Sequence, residues 1–373
     1  MEKILLCFGT RPEAIKMAPL YHKLKLDFVD VRVCVTAQHR EMLDQVLGFF
    51  EIVPDYDLNL MKKNQSLNEL SSRILQNIDK LFDDFKPDIV LVHGDTTTSL
   101  IVSLAAFYRQ INIGHVEAGL RTYNKKSPFP EEINRQLTGR LADLHFAPTK
   151  WASENLMKEG ICRESIFVTG NTVIDALGIG LKKIDEGYLS DDLKLVKSLI
   201  NPSCKIILVT GHRRESFGKG FENLCLAIKE IAQNKDVQVI YPLHLNPNIQ
   251  IPIMKILDGI DNVHLINPID YPSFLFLMNK AYLIMTDSGG VQEEAPSLGK
   301  PILLLRSNTE RPEALSTGNI RMVGMDKEKI VENVIELLKN RESYLKMSQI
   351  NNPYGDGKAS ERITEILKMK LGY

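Results

Sequence analysis

The chain has 373 residues, of which 44% are hydrophobic and 25% charged, with a formal net charge of −1. That length exceeds one ordinary core and predicts two domains, while the near-neutral balance leaves no global pull toward nucleic acid or an anionic membrane, so any anion site must be local. Five singly scattered cysteines (Cys7, Cys34, Cys162, Cys204, Cys225) without a C-x-x-C argue against disulfides or zinc, no stretch approaches the length of a membrane span, and the opening "MEKILLCFGTRPE" is too short an apolar run for a signal peptide, so the expected compartment is the cytoplasm.

In chain order, short apolar runs alternate with helical patterns. The first half carries "KILLCF" (3–8), "VRVCVT" (31–36), "DIVLVHG" (88–94), "NIGHVE" (112–117) and "LHFAP" (144–148). A charged stretch without a strand follows between about 176 and 204. The runs then resume with "KIILVT" (205–210), "VQVIYPL" (237–243), "NVHLIN" (262–267), "AYLIMT" (281–286) and "PILLL" (301–305). Continuous apolar strands separated by helices predict parallel sheets covered on both faces. The expected fold is therefore α/β, with two doubly wound Rossmann-like domains facing across a cleft. The expected boundary lies near Thr169–Asp175, giving domains 1–170 and 171–355, with the terminal helix 356–373 crossing back to the first. Cys7, Cys34 and Cys204 lie in or beside strand runs and read as buried thiols.

In such sheets ligands sit beyond the carboxyl ends of the strands, so the residues just past strand ends matter most. After the first strand, "GTRPEAIK" (9–16) places Arg11 at a helix start and Lys16 about one turn inside. Thr10, Pro12 and Glu13 read as plain helix capping. "HGDTTT" (93–98) places Asp95 between a strand and a helix, where capping alone is an alternative. Glu117 ends the next strand; its plain alternative is an exposed strand end. Pro130 then opens a helix with Glu131 and Glu132, and the helix dipole accounts for at least one of that pair. "GHRRESFG" (211–218) sets His212 beside two arginines after a buried strand, an anion-site pattern. Finally "TDSGGVQEEAPSLGKP" (286–301) turns from strand to helix at Gly289 and Gly290, whose backbone N–H groups suit phosphate, and Arg311 and Glu313 follow the last strand. Glu293 and Glu294 follow at once, and the plain reading is that they favour the positive end of the helix dipole. No G-x-G-x-x-G follows a strand, and no G-x-x-x-x-G-K-[ST], H-E-x-x-H or G-x-S-x-G occurs, which argues against nicotinamide, P-loop, zincin and serine-hydrolase chemistry.

These segments together resemble the non-hydrolysing UDP-N-acetylglucosamine 2-epimerases, a family of the two-domain GT-B type. The resemblance runs in order through "FGTRPEAIKMAP" (8–19), "TAQHREML" (36–43), "HGDTTT", "HVEAGLRT" (115–122), "PEE" (130–132), "TGNTVIDAL" (169–177), "GHRRESFG", "HLNPN" (244–248), "DSGGVQEEAPSLGKP" (287–301) and "TERPEA" (309–314). It is closest to the bacterial enzymes that supply ManNAc for surface polysaccharides. It implies that Lys16, Asp95, Glu117, Glu131 and His212 line the sugar and carry the chemistry. It further implies that Arg11, His212, Ser288, Gly289, Gly290 and Arg311 hold the UDP diphosphate or its surroundings and Glu294 the ribose. Gln38, His39, Gln65 and His244 match positions near a second UDP-GlcNAc that acts as an activator. The resemblance implies a homodimer, and the reading calls for no cofactor and no metal. Phe129 stands where the pattern has Trp, Ile133 where it has Ala, and 307–319 departs from the commoner wording, which leaves open another UDP-2-acetamido sugar. A GT-B glycosyltransferase and a non-catalytic UDP-sugar-binding regulator are the alternatives.

The chemistry explains why these residue types are needed. No carbonyl neighbours C2 of the sugar, so its proton is not acidic. Elimination avoids that difficulty: a base removes the C2 proton, the C1–O bond pair leaves with UDP, and a glycal remains. Return of a proton to the other face and re-addition of UDP complete the inversion. The leaving diphosphate calls for preorganised positive groups, and proton transfer on two faces calls for at least two acid–base groups.

Overall fold

The computed structural model describes residues 2–36, 40–60, 62, 65–211, 218–306, 312–349 and 351–372. The chain divides into two compact units, Met1–Ile179 with Tyr354–Tyr373, and Gly180–Pro353.

Among the described residues the first unit holds a seven-stranded parallel sheet. Its strands are β1 (Lys3–Phe8), β2 (Asp30–Val35), β3 (Tyr56–Asp57), β4 (Ile89–His93), β5 (Asn112–Val116), β6 (Leu144–Ala147) and β7 (Ile166–Val168), in the order β3-β2-β1-β4-β5-β6-β7. The second unit holds a six-stranded parallel sheet of β8 (Lys205–Thr210), β9 (Val237–Pro242), β10 (Val263–Ile266), β11 (Leu283–Thr286), β12 (Ile302–Leu304) and β13 (Ile320–Met322), in the order β10-β9-β8-β11-β12-β13. In each sheet the order reverses once, between β1 and β4 and between β8 and β11. Crossovers between parallel strands are right-handed as a rule, so those running both ways from this point send helices to both faces, which is the doubly wound α/β class that the continuous apolar runs predict. Central strands such as Ile89–His93 are buried along their whole length, as strands covered on both sides must be.

Three strands have no counterpart in the apolar runs: β3, β7 and β13. Each has only two or three residues and lies at a sheet edge, where one flank is solvated and a continuous apolar run is not required. Cys7 and Cys34 are buried neighbours in register across β1 and β2, and burial pushes the Cys7 thiol well up; Cys204 is only half-buried.

The terminal helix Ala359–Leu371 belongs to the first unit and packs on the helix Arg11–Asp27. Its first turn is capped from a distant part of the chain: Asp175 accepts from the backbone N–H of Ala359 at 3.2 Å and of Ser360 at 2.8 Å. Lys368 Nζ donates to Asp27 at 2.7 Å near the other end. No helix among the described residues is long and apolar enough to cross a membrane.

Candidate functional site

The switch point of the first sheet lies between the carboxyl ends of β1 and β4. The chain leaves β1 through Gly9 and enters its helix at Arg11, with Pro12 in the first turn. Glu13 reaches back to the N–H of Thr10 at 2.8 Å and of Gly9 at 3.0 Å, as helix capping predicts. It does more than that. Its second oxygen accepts from the hydroxyl of Thr96 at 2.7 Å, and Thr96 caps the helix that follows β4. One buried carboxylate thus ties the loop carrying Arg11 to the loop carrying Asp95. Burial raises its pKa, with these donors pulling against it.

A turn further along, Lys16 is buried and pairs with Glu117. Glu117 is not the exposed strand end that the sequence allowed as the plain alternative; it is 6% exposed and takes φ of +61°. A left-handed backbone at a non-glycine residue is uncommon and persists where surrounding contacts over-determine it. Those contacts are visible. Asn171 Nδ2 donates to Glu117 Oε2 at 3.0 Å, Arg135 Nη2 to Oε1 at 3.3 Å, and Arg135 Nη1 to the Glu117 carbonyl at 2.5 Å. Burial alone would raise the pKa of Glu117, but the cations around it, Lys16 foremost, hold it well below the usual carboxylate range.

Arg135 also pairs with Asp95, whose backbone carbonyl accepts from Asn134 Nδ2 at 3.0 Å. Glu131, four residues before Arg135 on the same helix, is half-buried and forms no ion pair among the described residues. Burial, and then the nearby negative charge of Asp95, push its pKa up. The lowering influence of Arg135 is smaller. Glu117, held ionised, and Glu131, biased toward its neutral form, both interact with Arg135, and acid–base chemistry uses carboxyls pushed apart in this way. Of the neighbouring pair, Glu132 is the structural member: it accepts from Thr122 N at 2.9 Å and Tyr123 N at 3.0 Å and pins the loop before the helix.

Lys16, Asp95, Glu117 and Glu131 therefore lie on one side of one unit. Sequence reasoning missed Arg135, Asn134, Asn171 and His93. The last is 4% exposed and sits 3.8 Å from Glu117, and burial lowers its pKa to about 4, so it is neutral near pH 7. His93 and Asn171 could have been found, because each stands inside a quoted motif just past or at a strand end.

In the second unit the switch point lies between β8 and β11. Thr210 and Thr286, the last residues of these strands, share a hydrogen bond of 2.6 Å, and Thr286 Oγ1 accepts from Ser288 N at 3.0 Å. Ser288 is the N-cap of a short helix, Gly289–Glu294. Glu294 is 7% exposed and accepts from the hydroxyl of Tyr271 at 3.1 Å. Glu293 corrects the expectation placed on it: it lies in the second turn rather than the first and is 1% exposed, so it is an interior residue and not a partner of the helix dipole. Gln65 Oε1 accepts from Lys62 N at 3.1 Å and from Arg73, and the exposed His244 accepts from Asn246 N at 3.1 Å. Gln38, His39, His212 and Arg311 lie outside the described residues.

Comparison with known proteins bears on the family and the fold. The family described as UDP-N-acetylglucosamine 2-epimerase matches residues 22–368. A UDP-N-acetylglucosamine 2-epimerase of Escherichia coli K12 is 57% identical over 369 residues, which is 98% of each chain. The crystal structure of the UDP-GlcNAc 2-epimerase from Neisseria meningitidis bound to UDP-GlcNAc superposes with a TM-score of 0.91 at 51% identity, covering 98% of this chain and 100% of that one. The S. aureus MnaA–UDP co-structure gives 0.87 at 48%, covering 100% and 97%. With near-complete coverage at this identity, and the same doubly wound units, the chain belongs to the UDP-N-acetylglucosamine 2-epimerase family.

Proposed function

We propose that the protein interconverts UDP-GlcNAc and UDP-ManNAc by eliminating UDP to a glycal and adding it back. The observation that carries this is the cluster at the β1/β4 switch point, where Lys16 and Arg135 hold two carboxylates and Glu131, near Asp95, forms no ion pair among the described residues. Asp95, Glu117 and Glu131 form the acid–base set, with Lys16 and His212 completing the catalytic residues. Arg11, Ser288, Gly289, Gly290 and Arg311 hold the diphosphate, and Glu294 the ribose. Tyr271, bonded to Glu294, orients that carboxylate toward the diol. The Neisseria relative is described as bound to UDP-GlcNAc, which supports the choice of nucleotide sugar.

Gln38, His39, Gln65 and His244 belong to a second UDP-GlcNAc site that activates the enzyme. The working form is a cytoplasmic homodimer feeding surface polysaccharide synthesis. The test of the activity is turnover of UDP-GlcNAc in D2O. Deuterium at C2 of both epimers is expected. Product without deuterium would overturn the elimination route, and product that forms only with an added acceptor would point instead to a glycosyltransferase.

A further inference from the structure

Arg135 sits on the helix Glu131–Leu141, one turn after Glu131. At that spacing a surface Arg and Glu ordinarily pair with each other. Here the guanidinium turns away from Glu131 and inward. It is buried, and it bonds the Glu117 carbonyl, Glu117 Oε1 and Asp95 with two of its nitrogens. The preceding residue, Asn134, holds the Asp95 carbonyl at 3.0 Å. Asp95 is thus gripped through its main chain and its side chain by two consecutive residues of one helix.

The backbone is shaped to admit this. Gly94 takes φ of +67°, and a side chain there would begin 3.5 Å from Glu117 Oε1 and 3.8 Å from Arg135 Nη2. Glu117 takes φ of +61°, with its carbonyl accepting from Arg135 Nη1. Two left-handed residues, from two strands' ends, converge on a single guanidinium.

We propose that Arg135 is a positioning residue for proton transfer, its one planar guanidinium setting the separation and the aim of the Asp95 and Glu117 carboxylates. This rests on the epimerase reading above. A planar fork can address two carboxylates at once, whereas a lysine ammonium is a point charge without that fork. Carboxylates left to repel one another would swing apart, and a misplacement near 1 Å costs about 100-fold in rate.

The full-length chain, the Arg135→Lys variant and the Arg135→Met variant are compared on UDP-GlcNAc, with UDP affinity measured by calorimetry and folding by circular dichroism. Arg135→Lys keeps the charge and most of the volume. It is expected to fold, to leave KM and UDP affinity within about threefold, and to lower kcat about 100-fold. Arg135→Met, which removes the cation paired with Asp95 and leaves Glu117 its Lys16 partner, is expected to lose at least as much kcat. An active wild type with a lysine variant of undiminished kcat would overturn the positioning role alone. A loss carried by KM and UDP affinity would overturn it too, because the guanidinium would then serve binding. So would a lysine variant that does not fold, since the group would then be holding the fold. A wild type that turns over no UDP-GlcNAc would overturn the activity reading and the positioning role together.

Discussion

Three histidines of the first unit, His93, His115 and His145, are buried on adjacent strands, and acid should unfold the unit through them. Burial pushes His93 and His145 down to about 4 and His115 well below 6.5, with Arg121 adding to the effect at His145 and Arg135 at His115. Above about pH 6.5 neither the folded nor the unfolded chain protonates them, and their neutrality costs nothing. As pH falls through 6.5 the unfolded chain takes up protons that the folded one refuses, until the folded pKa near 4 is reached. Each histidine then removes about 1.4 kcal/mol of stability per pH unit. Down to about pH 5 that is roughly 2 kcal/mol for one residue and roughly 4 kcal/mol for His93 and His145 together, with His115 acting in the same direction, a large part of an ordinary stability of about 5–15 kcal/mol. The perturbation is His145→Gln, which keeps an amide donor and cannot titrate. At about pH 7.5 the variant should be less stable than wild type by about 1 kcal/mol. By about pH 5 it should have recovered roughly 2 kcal/mol relative to wild type, moving its Tm up against wild type by about 4–8 °C. Melting curves followed by circular dichroism across that range measure this. Parallel curves of Tm against pH would refute the reasoning.

Four further outcomes are expected. Asp95→Asn should abolish turnover in a coupled UDP-GlcNAc assay while calorimetry still detects UDP binding; a substantially active variant would remove Asp95 from the acid–base set. Glu294→Ala should weaken UDP binding by about ten- to a hundredfold, the cost of a charge-assisted ribose contact, and an unchanged affinity would take the ribose role away from it. Gly119→Ala should cost about 3 kcal/mol or more, because the residue takes φ of +91° and a methyl would begin 2.2 Å from the Ala152 carbonyl oxygen; an unshifted Tm would contradict the geometry. Asp175→Ala should weaken the docking of Ala359–Leu371 by about 1–2 kcal/mol, and hydrogen exchange should quicken in that helix alone.

What the sequence made legible follows from what local pattern encodes. Ten continuous apolar runs became ten strands, nine of them inside their sheets, where a strand covered on both faces must be apolar throughout. The loops past those strands carry the residues that cluster at the switch point, since their place depends on chain order alone. Contacts that bridge distant segments were not legible. Arg135 reads as an ordinary helix-surface residue until its reach to Asp95, 40 residues away, is seen. Asn171 meets Glu117 across 54 residues and Tyr271 meets Glu294 across 23, and no spacing rule encodes either pairing. Glu293 misled for a related reason: composition at a helix start suggested the dipole, whereas the helix begins early enough to carry that residue into the interior.

Glu13 makes the first and fourth loops of the N-terminal sheet a single mechanical piece. Arg11, assigned to the phosphate side, and the acid assigned to the proton side, Asp95, hang from the same buried oxygen pair. Natural variation at this spot would therefore not tune one role at a time; any drift in the anchor is felt by leaving group and proton carrier alike, so inherited change in substrate preference has to arise elsewhere on the molecule.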